Sequence, residues 1–168
     1  MTLVRLARLR VPLGFAFAVL AFWLARPTPW SLAAGLFVGL PGEVLRLWAA
    51  GHIHKGREVT SSGPYRLFRH PLYLGSTVLG AGFAIASASL AVTALVAAYL
   101  GVTLMAAMRT EEQALDRRFE GAYAAYRAGR APAAARAFTW SRVRANREYR
   151  AVAGLAVAWA ILYWKSLG

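Results

Sequence analysis

Apolar and polar positions along this chain fall into long blocks rather than short alternations. Val11 to Ala25 is apolar and closes on Trp23 and Arg26, residue types suited to a membrane interface. It is short for a span of roughly 20 residues, and the preceding Leu and Ala residues extend it. Trp30 to Ala50 is a second apolar block, interrupted by Pro41-Gly42-Glu43 and by Arg46. A basic loop from Gly51 to His70 follows. Leu72 to Ala86 and Leu90 to Met108 are separated only by Ser87-Ala88-Ser89, which predicts a tight helical hairpin or one long bent helix. Arg109 to Arg150 is polar and helix-rich, and residues 109–130 are predicted as one helix leaving the membrane. Val152 to Trp164 is a last apolar block, either a tilted span or a helix lying at the interface. The pattern predicts an all-α, polytopic membrane helix bundle with about five transmembrane helices and a cytoplasmic helical segment. One domain covers residues 1–168.

Composition strengthens that reading. An apolar fraction of 58% over 168 residues is too high for an ordinary soluble domain of this size. The absence of cysteine removes disulfides, zinc–cysteine sites and thiol catalysis. The net charge of +13 would suggest nucleic acid in a soluble chain, but here it flanks apolar spans and marks their cytoplasmic side. Nucleic acid is therefore not an expected partner. With the N-terminus cytoplasmic and five crossings, Arg5, Arg8 and Arg10, then Lys55, Arg57, Arg66 and Arg69, and the ten arginines from Arg109 to Arg150 all fall inside. A four-crossing arrangement, with Val152 to Trp164 not spanning, satisfies the rule equally well. The basic start imitates a signal peptide, but Pro27-Thr28-Pro29-Trp30 is no small-residue cleavage site, so the first block reads as a retained membrane helix. Arg136 to Arg150 is expected to contact anionic lipid headgroups, each basic group contributing on the order of 1 kcal/mol.

Candidate chemistry concentrates where the basic loop meets the third apolar block. Gly63-Pro64 favours a turn, and Pro71 suits the first position of a helix, so Arg69 and His70 should sit at a helix N-terminus at the membrane edge. Such a start presents unpaired N–H groups suited to an anionic group. The hairpin then returns the chain to the same face and delivers Glu111 and Glu112. Glu112 heads an apolar-aromatic stripe of Leu115, Phe119, Tyr123 and Tyr126, and Glu111 lies about 100° around the helix. Taken alone, the two glutamates read as favourable charges near a helix start, and the tyrosines as packing. Glu43 and Arg46 are ionisable groups three apart inside an apolar block, either a mutual ion pair or part of a pocket lining. His52-Ile53-His54 has the spacing of a metal pair, but no cysteine or carboxylate cluster supports it, and no metal is expected.

Gly63-Pro64-Tyr65-x-x-x-Arg69-His70-Pro71-x-Tyr73-x-Gly75 resembles the signature of the isoprenylcysteine carboxyl methyltransferase and phospholipid methyltransferase-like family of integral membrane enzymes. Glu111-Glu112-x-x-Leu115-x-x-x-Phe119-x-x-x-Tyr123-x-x-Tyr126 resembles that family's second motif, in the family's order. The resemblance covers residues 51–132 and implies S-adenosylmethionine as methyl donor, held between the two motifs on the cytoplasmic side. It implies a lipidic or membrane-partitioned acceptor that arrives through the bilayer. Tyr65, Arg69, His70, Pro71, Tyr73 and Gly75 would then contribute to the cofactor pocket, with Glu111, Glu112, Tyr123 and Tyr126 closing it. Catalytic roles would fall to Arg69, His70 and Glu111. Arg130-Ala131-Pro132 and the alanine run after it depart from the family's ending, so neither carboxylate O-methylation nor amine N-methylation is selected. Two other readings are weighed: a sterol-reductase-like enzyme using a reduced nicotinamide cofactor, and a membrane scaffold that binds anionic lipid. The paired glutamates favour a ligand with a cationic end over either.

Overall fold

The structure is a computed structural model that describes residues 3–54, 56–119, 121–130 and 136–168, with side chains from Gly14 onward. Lys55, Ala131, Pro132 and the side chains of Arg5, Arg8 and Arg10 lie outside the described residues. Among those described, the regular structure is helical and no strand occurs. The helices are α1 (Leu3–Leu24), α2 (Pro29–His52), α3 (Pro71–Ser87), α4 (Leu90–Arg118), α5 (Ala122–Arg127), α6 (Trp140–Ala145) and α7 (Tyr149–Lys165), with one 3-10 turn at Gly63–Arg66. Two of them, α2 and α4, are long and apolar enough to cross a membrane; the apolar stretches Gly14–Leu24 and Pro71–Ser87 are shorter. Their outer faces carry large apolar side chains, with Phe37 81% exposed and Trp30 86%. In water such faces would be costly; in lipid they are the expected surface.

Pro41 does not interrupt the second block, because α2 runs through it. Thr28 and Ser31 form a reciprocal capping box that starts α2, and the Ser31 hydroxyl also donates to the Ala86 carbonyl, tying α2 to the far end of α3. The two helices approach along a glycine seam. A Cβ on Gly35 would lie 2.4 Å from the Gly82 carbonyl oxygen, and one on Gly42 would lie 2.6 Å from that of Gly75. Small residues let backbones touch where lipid offers no hydrophobic drive for association.

The hairpin reading holds. α3 ends at Ala88 in the left-handed region, and Ser89 caps α4 by accepting from the Val92 N–H. Helix α4 then continues past the apolar block to Arg118 without a break. The predicted single helix over 109–130 is therefore corrected: its first half is the last part of α4, and its second half is the separate α5. Gly121, with φ +74°, makes the turn between them. Glu111 and Glu112 stand well inside a helix rather than near its start. At the hairpin end of the bundle, Ala21, Ala25, Leu32, Ala86, Val92 and Leu162 form a core shared by α1, α2, α3, α4 and α7. Lys165 closes that end by donating to the Phe22 and Trp23 carbonyls, both at 2.7 Å.

Candidate active site

At the opposite end, α3 begins where the basic loop stops. His70 is the N-cap of α3 but makes no side-chain cap; its ring turns away, and Pro71 takes the first helical position. The His70 Nε2 lies 2.9 Å from Glu112 Oε1. One helical turn on, the Tyr73 hydroxyl donates to Glu111 Oε2 at 2.7 Å. The Tyr126 hydroxyl on α5 donates to the Tyr65 carbonyl at 2.6 Å. The 100° offset between adjacent helical residues explains why Glu111 and Glu112 reach different partners. Three cross-links thus join the two sequence motifs.

Between them lies a cavity of about 470 Å³. Tyr65, Arg69, His70, Pro71 and Tyr73 border it from the loop and the start of α3. Glu111, Leu115 and Phe119 border it from the end of α4, and Tyr123 and Tyr126 from α5. Two expected residues are placed elsewhere. Glu112 borders the adjoining groove between α3 and α4, where it holds His70. Gly75 faces α2, because a Cβ there would meet Arg46 Cγ and the Gly42 carbonyl oxygen at 2.6 Å. Its close approach is to a helix.

The electrostatics favour neutral tyrosines beside carboxylates. Burial, then the nearby Glu111 carboxylate, pushes the Tyr65 phenol well above its usual range. Its hydroxyl is buried and has no hydrogen-bond partner, though the residue borders the cavity. Burial and the adjacent Glu112 carboxylate push Tyr123 upward in the same way. An orphaned phenol in a cavity wall is a donor waiting for an acceptor.

Three further placements join residues distant along the chain. Arg46 borders the cavity and binds Glu148, Ser76 and the Leu72 carbonyl, while Glu43 lies behind it with Oε2 3.7 Å from Arg46 Nε. Both sequence readings of Glu43 and Arg46 thus have a share, since they pair and Arg46 also lines the cavity. Glu148, hidden among arginines in the sequence, borders the cavity as well. Arg136 donates to Glu58 at 2.7 Å, and Arg142 donates to the Gly51 carbonyl at 3.0 Å. His52 and His54 diverge. The His52 ring packs against Gly63 with Nδ1 2.9 Å from the Trp48 carbonyl oxygen, and the His54 ring meets Arg136.

Comparison with known proteins adds to this geometry. The phospholipid methyltransferase family model matches residues 9–122, which is more than half of the chain. A cobalt-zinc-cadmium resistance protein from Cupriavidus metallidurans is 35% identical over 117 residues, covering 66% of this chain and 54% of its own. A nickel-cobalt-cadmium resistance protein from Alcaligenes xylosoxydans xylosoxydans is 34% identical over 96 residues, covering 54% of this chain and 45% of its own. The chain spans about half the length of these curated relatives. No solved structure matches it.

Proposed function

The chain belongs to the phospholipid methyltransferase family, and on that premise we propose that it transfers a methyl group from S-adenosylmethionine to a lipidic or membrane-partitioned acceptor. The observation that carries this reading is the paired cross-link of His70 to Glu112 and Tyr73 to Glu111, which folds both motifs around one cavity. The cavity volume falls within the range of about 300–1,000 Å³ usual for small-molecule sites. The donor set suits the cofactor: Glu111 for its ammonium, the unpartnered Tyr65 hydroxyl for an acceptor atom, and Phe119 or Tyr126 against its adenine. Exposed Arg69 at the rim and the N–H groups opening α3 suit its carboxylate. Bound there, S-adenosylmethionine would supply a methyl group activated by its sulfonium.

The chain's own part is positioning and exclusion of water. His70 and Tyr73 hold the two carboxylates at fixed heights along α3, and Tyr126 fixes the loop that carries Tyr65. In this reading residues 1–168 act as one domain, the N-terminus and the cavity end are cytoplasmic, and α1 to α4 and α7 all cross. The exposed arginines at that end, Arg144 among them, meet anionic lipid.

Calorimetric titration of the detergent-purified protein tests the reading. S-adenosylmethionine and S-adenosylhomocysteine should bind, and NADPH should not. Folded protein that binds neither adenosyl compound overturns it, and binding of NADPH instead would favour the reductase-like alternative.

A further inference from the structure

Arg46 and Glu148 border the cavity, while their chain neighbours Leu47 and Tyr149 border a separate groove of about 990 Å³. Among the described residues none borders both spaces. Leu47 lines the groove from α2, Trp140 and Arg144 from α6, and Tyr149, Val152 and Ala156 from α7. The last three recur at three- and four-residue spacing, so they lie along one face of α7. At about 1.5 Å per residue that face runs for roughly 10 Å. Its order is informative. The cation and the two large aromatics belong to α6 and the first turn of α7, and the wall beyond them is apolar. Trp140 is 68% exposed and Tyr149 52%, as suits rings at a membrane interface.

The polar end of the groove is held in place by backbone bonds. The Glu148 N–H donates to the Val143 carbonyl at 3.1 Å and the Arg147 N–H to that of Arg144 at 2.9 Å, which closes α6. Arg147 takes the left-handed position of that turn, with φ +59°. The Asn146 amide donates to the Ala50 carbonyl at 2.9 Å and fastens the turn to the end of α2. Charge here is unbalanced. Arg144, Arg147 and Arg150 are exposed, and no described carboxylate pairs with them, since Glu148 is taken by Arg46. A guanidinium fork suits a phosphate, and the apolar wall beyond it suits a hydrocarbon chain.

We propose that this groove holds one anionic phospholipid of the surrounding bilayer, its phosphate on Arg144 and one acyl chain along Val152 and Ala156 against Leu47. The lipid is a bound partner and not the methyl acceptor, because it occupies a space apart from the cavity. This rests on the proposed placement of that end at the cytoplasmic membrane face, and it does not depend on methyl transfer. Filling the groove braces Leu47 and Tyr149, and through them the Arg46–Glu148 pair on the cavity side. A second copy of the chain is the poorer occupant, because two-fold pairing through this face would set its arginines against their own copies.

The test compares phosphatidylglycerol and phosphatidylcholine of equal acyl chains on the full chain in dodecyl maltoside, with bound lipid read by native mass spectrometry. Phosphatidylglycerol carries neither an amine nor a carboxylate, so it reports a partner site and not an acceptor site. It should bind about tenfold more tightly than phosphatidylcholine and raise the thermal unfolding temperature, and Arg144→Gln should narrow that preference to about twofold or less. Arg117 is equally exposed near the end of α4 and borders neither space, so Arg117→Gln should keep the full preference. Equal binding of the two lipids, equal losses in Arg117→Gln and Arg144→Gln, or the same stabilisation by inorganic phosphate would each overturn the site. So would a dimer in lipid-free detergent that Val152→Arg converts to monomer. S-adenosylhomocysteine titrated into the same samples reports the methyl-transfer reading separately, so the two failures are distinct.

Discussion

His70 and Glu112 meet at 2.9 Å from positions 42 residues apart, one at the N-cap of α3 and the other near the end of α4. The contact spans the open end of the hairpin, so it holds the two helices at the separation that the cavity needs. Removing either side should loosen the site. A charge-assisted hydrogen bond contributes about 1.5–3 kcal/mol, so His70→Ala and Glu112→Gln should each weaken S-adenosylhomocysteine binding by about tenfold or more. Arg144 is exposed and distant in sequence from both motifs, and Arg144→Ala should bind as the wild type does. Calorimetry on the three variants decides it, and equal losses in all three would sink the site assignment.

The Tyr126 hydroxyl holds the Tyr65 carbonyl, and therefore the Gly63–Arg66 turn, against α5. Tyr126→Phe removes that bond and the longer contact of the same hydroxyl with the Phe68 carbonyl at 3.4 Å. We expect a loss of about 0.5–1.5 kcal/mol locally, read as faster amide exchange over residues 63–69 with little change elsewhere.

The seam between α2 and α3 predicts a sharp contrast among glycines. Gly35→Ala drives a Cβ to 2.4 Å from a backbone oxygen that has no room to move, whereas a Cβ on Gly101 in α4 meets nothing within 4 Å. Gly35→Ala should cost about 1–3 kcal/mol or more. Gly101→Ala should be neutral or stabilising by up to about 1 kcal/mol, because alanine is the better helix former. Thermal unfolding in one detergent compares the two directly.

Alkaline pH should weaken the fold through its buried phenols. Burial raises Tyr65, Tyr123 and Tyr126 in the folded state, while the unfolded chain ionises its tyrosines near the usual value of about 10. Below that pH both states are neutral and these groups are without effect. Above it the unfolded chain loses protons that the folded chain keeps, so stability falls as pH rises from about 10 upward. Tyr123→Phe should lessen the fall, and chemical unfolding between about pH 9 and 11, on the scale of that reference value, would reveal a flat profile if the reading is wrong.

Much of the site is legible in the sequence because its chemistry sits in short motifs at fixed spacing. The run from Gly63 to Tyr73 and the run from Glu111 to Tyr126 place the cavity residues, and hydrophobic block lengths place the hairpin between them. What sequence does not show follows from contacts distant along the chain. Glu148 sits 102 residues from its partner Arg46, within an arginine-rich stretch whose charge pattern reads as a face toward lipid headgroups. Pro41 reads as a breaker, yet packing of α2 on α3 outweighs the single backbone bond that a proline removes. Arg109 reads as a helix start because polarity changes there. A change of surroundings along a helix leaves its backbone hydrogen bonds intact, so composition marks the membrane edge and only Gly121 marks the real break. The family resemblance places Gly75 in the cofactor pocket, yet the close approach that needs a glycine there is to the backbone of α2.

The glycine seam also fixes which parts of the molecule can move. With backbone set against backbone from Gly35 to Gly75, α2 and α3 behave as one rigid plate that carries Arg46, His70 and Tyr73 together. Helix α4 touches that plate through side chains and is bonded to it at the open end by two glutamates. Any parting of α4 from that plate would work like a door: α3 is the frame, the Ala88–Ser89 turn is the hinge, and the pairs at Glu111 and Glu112 are the latch.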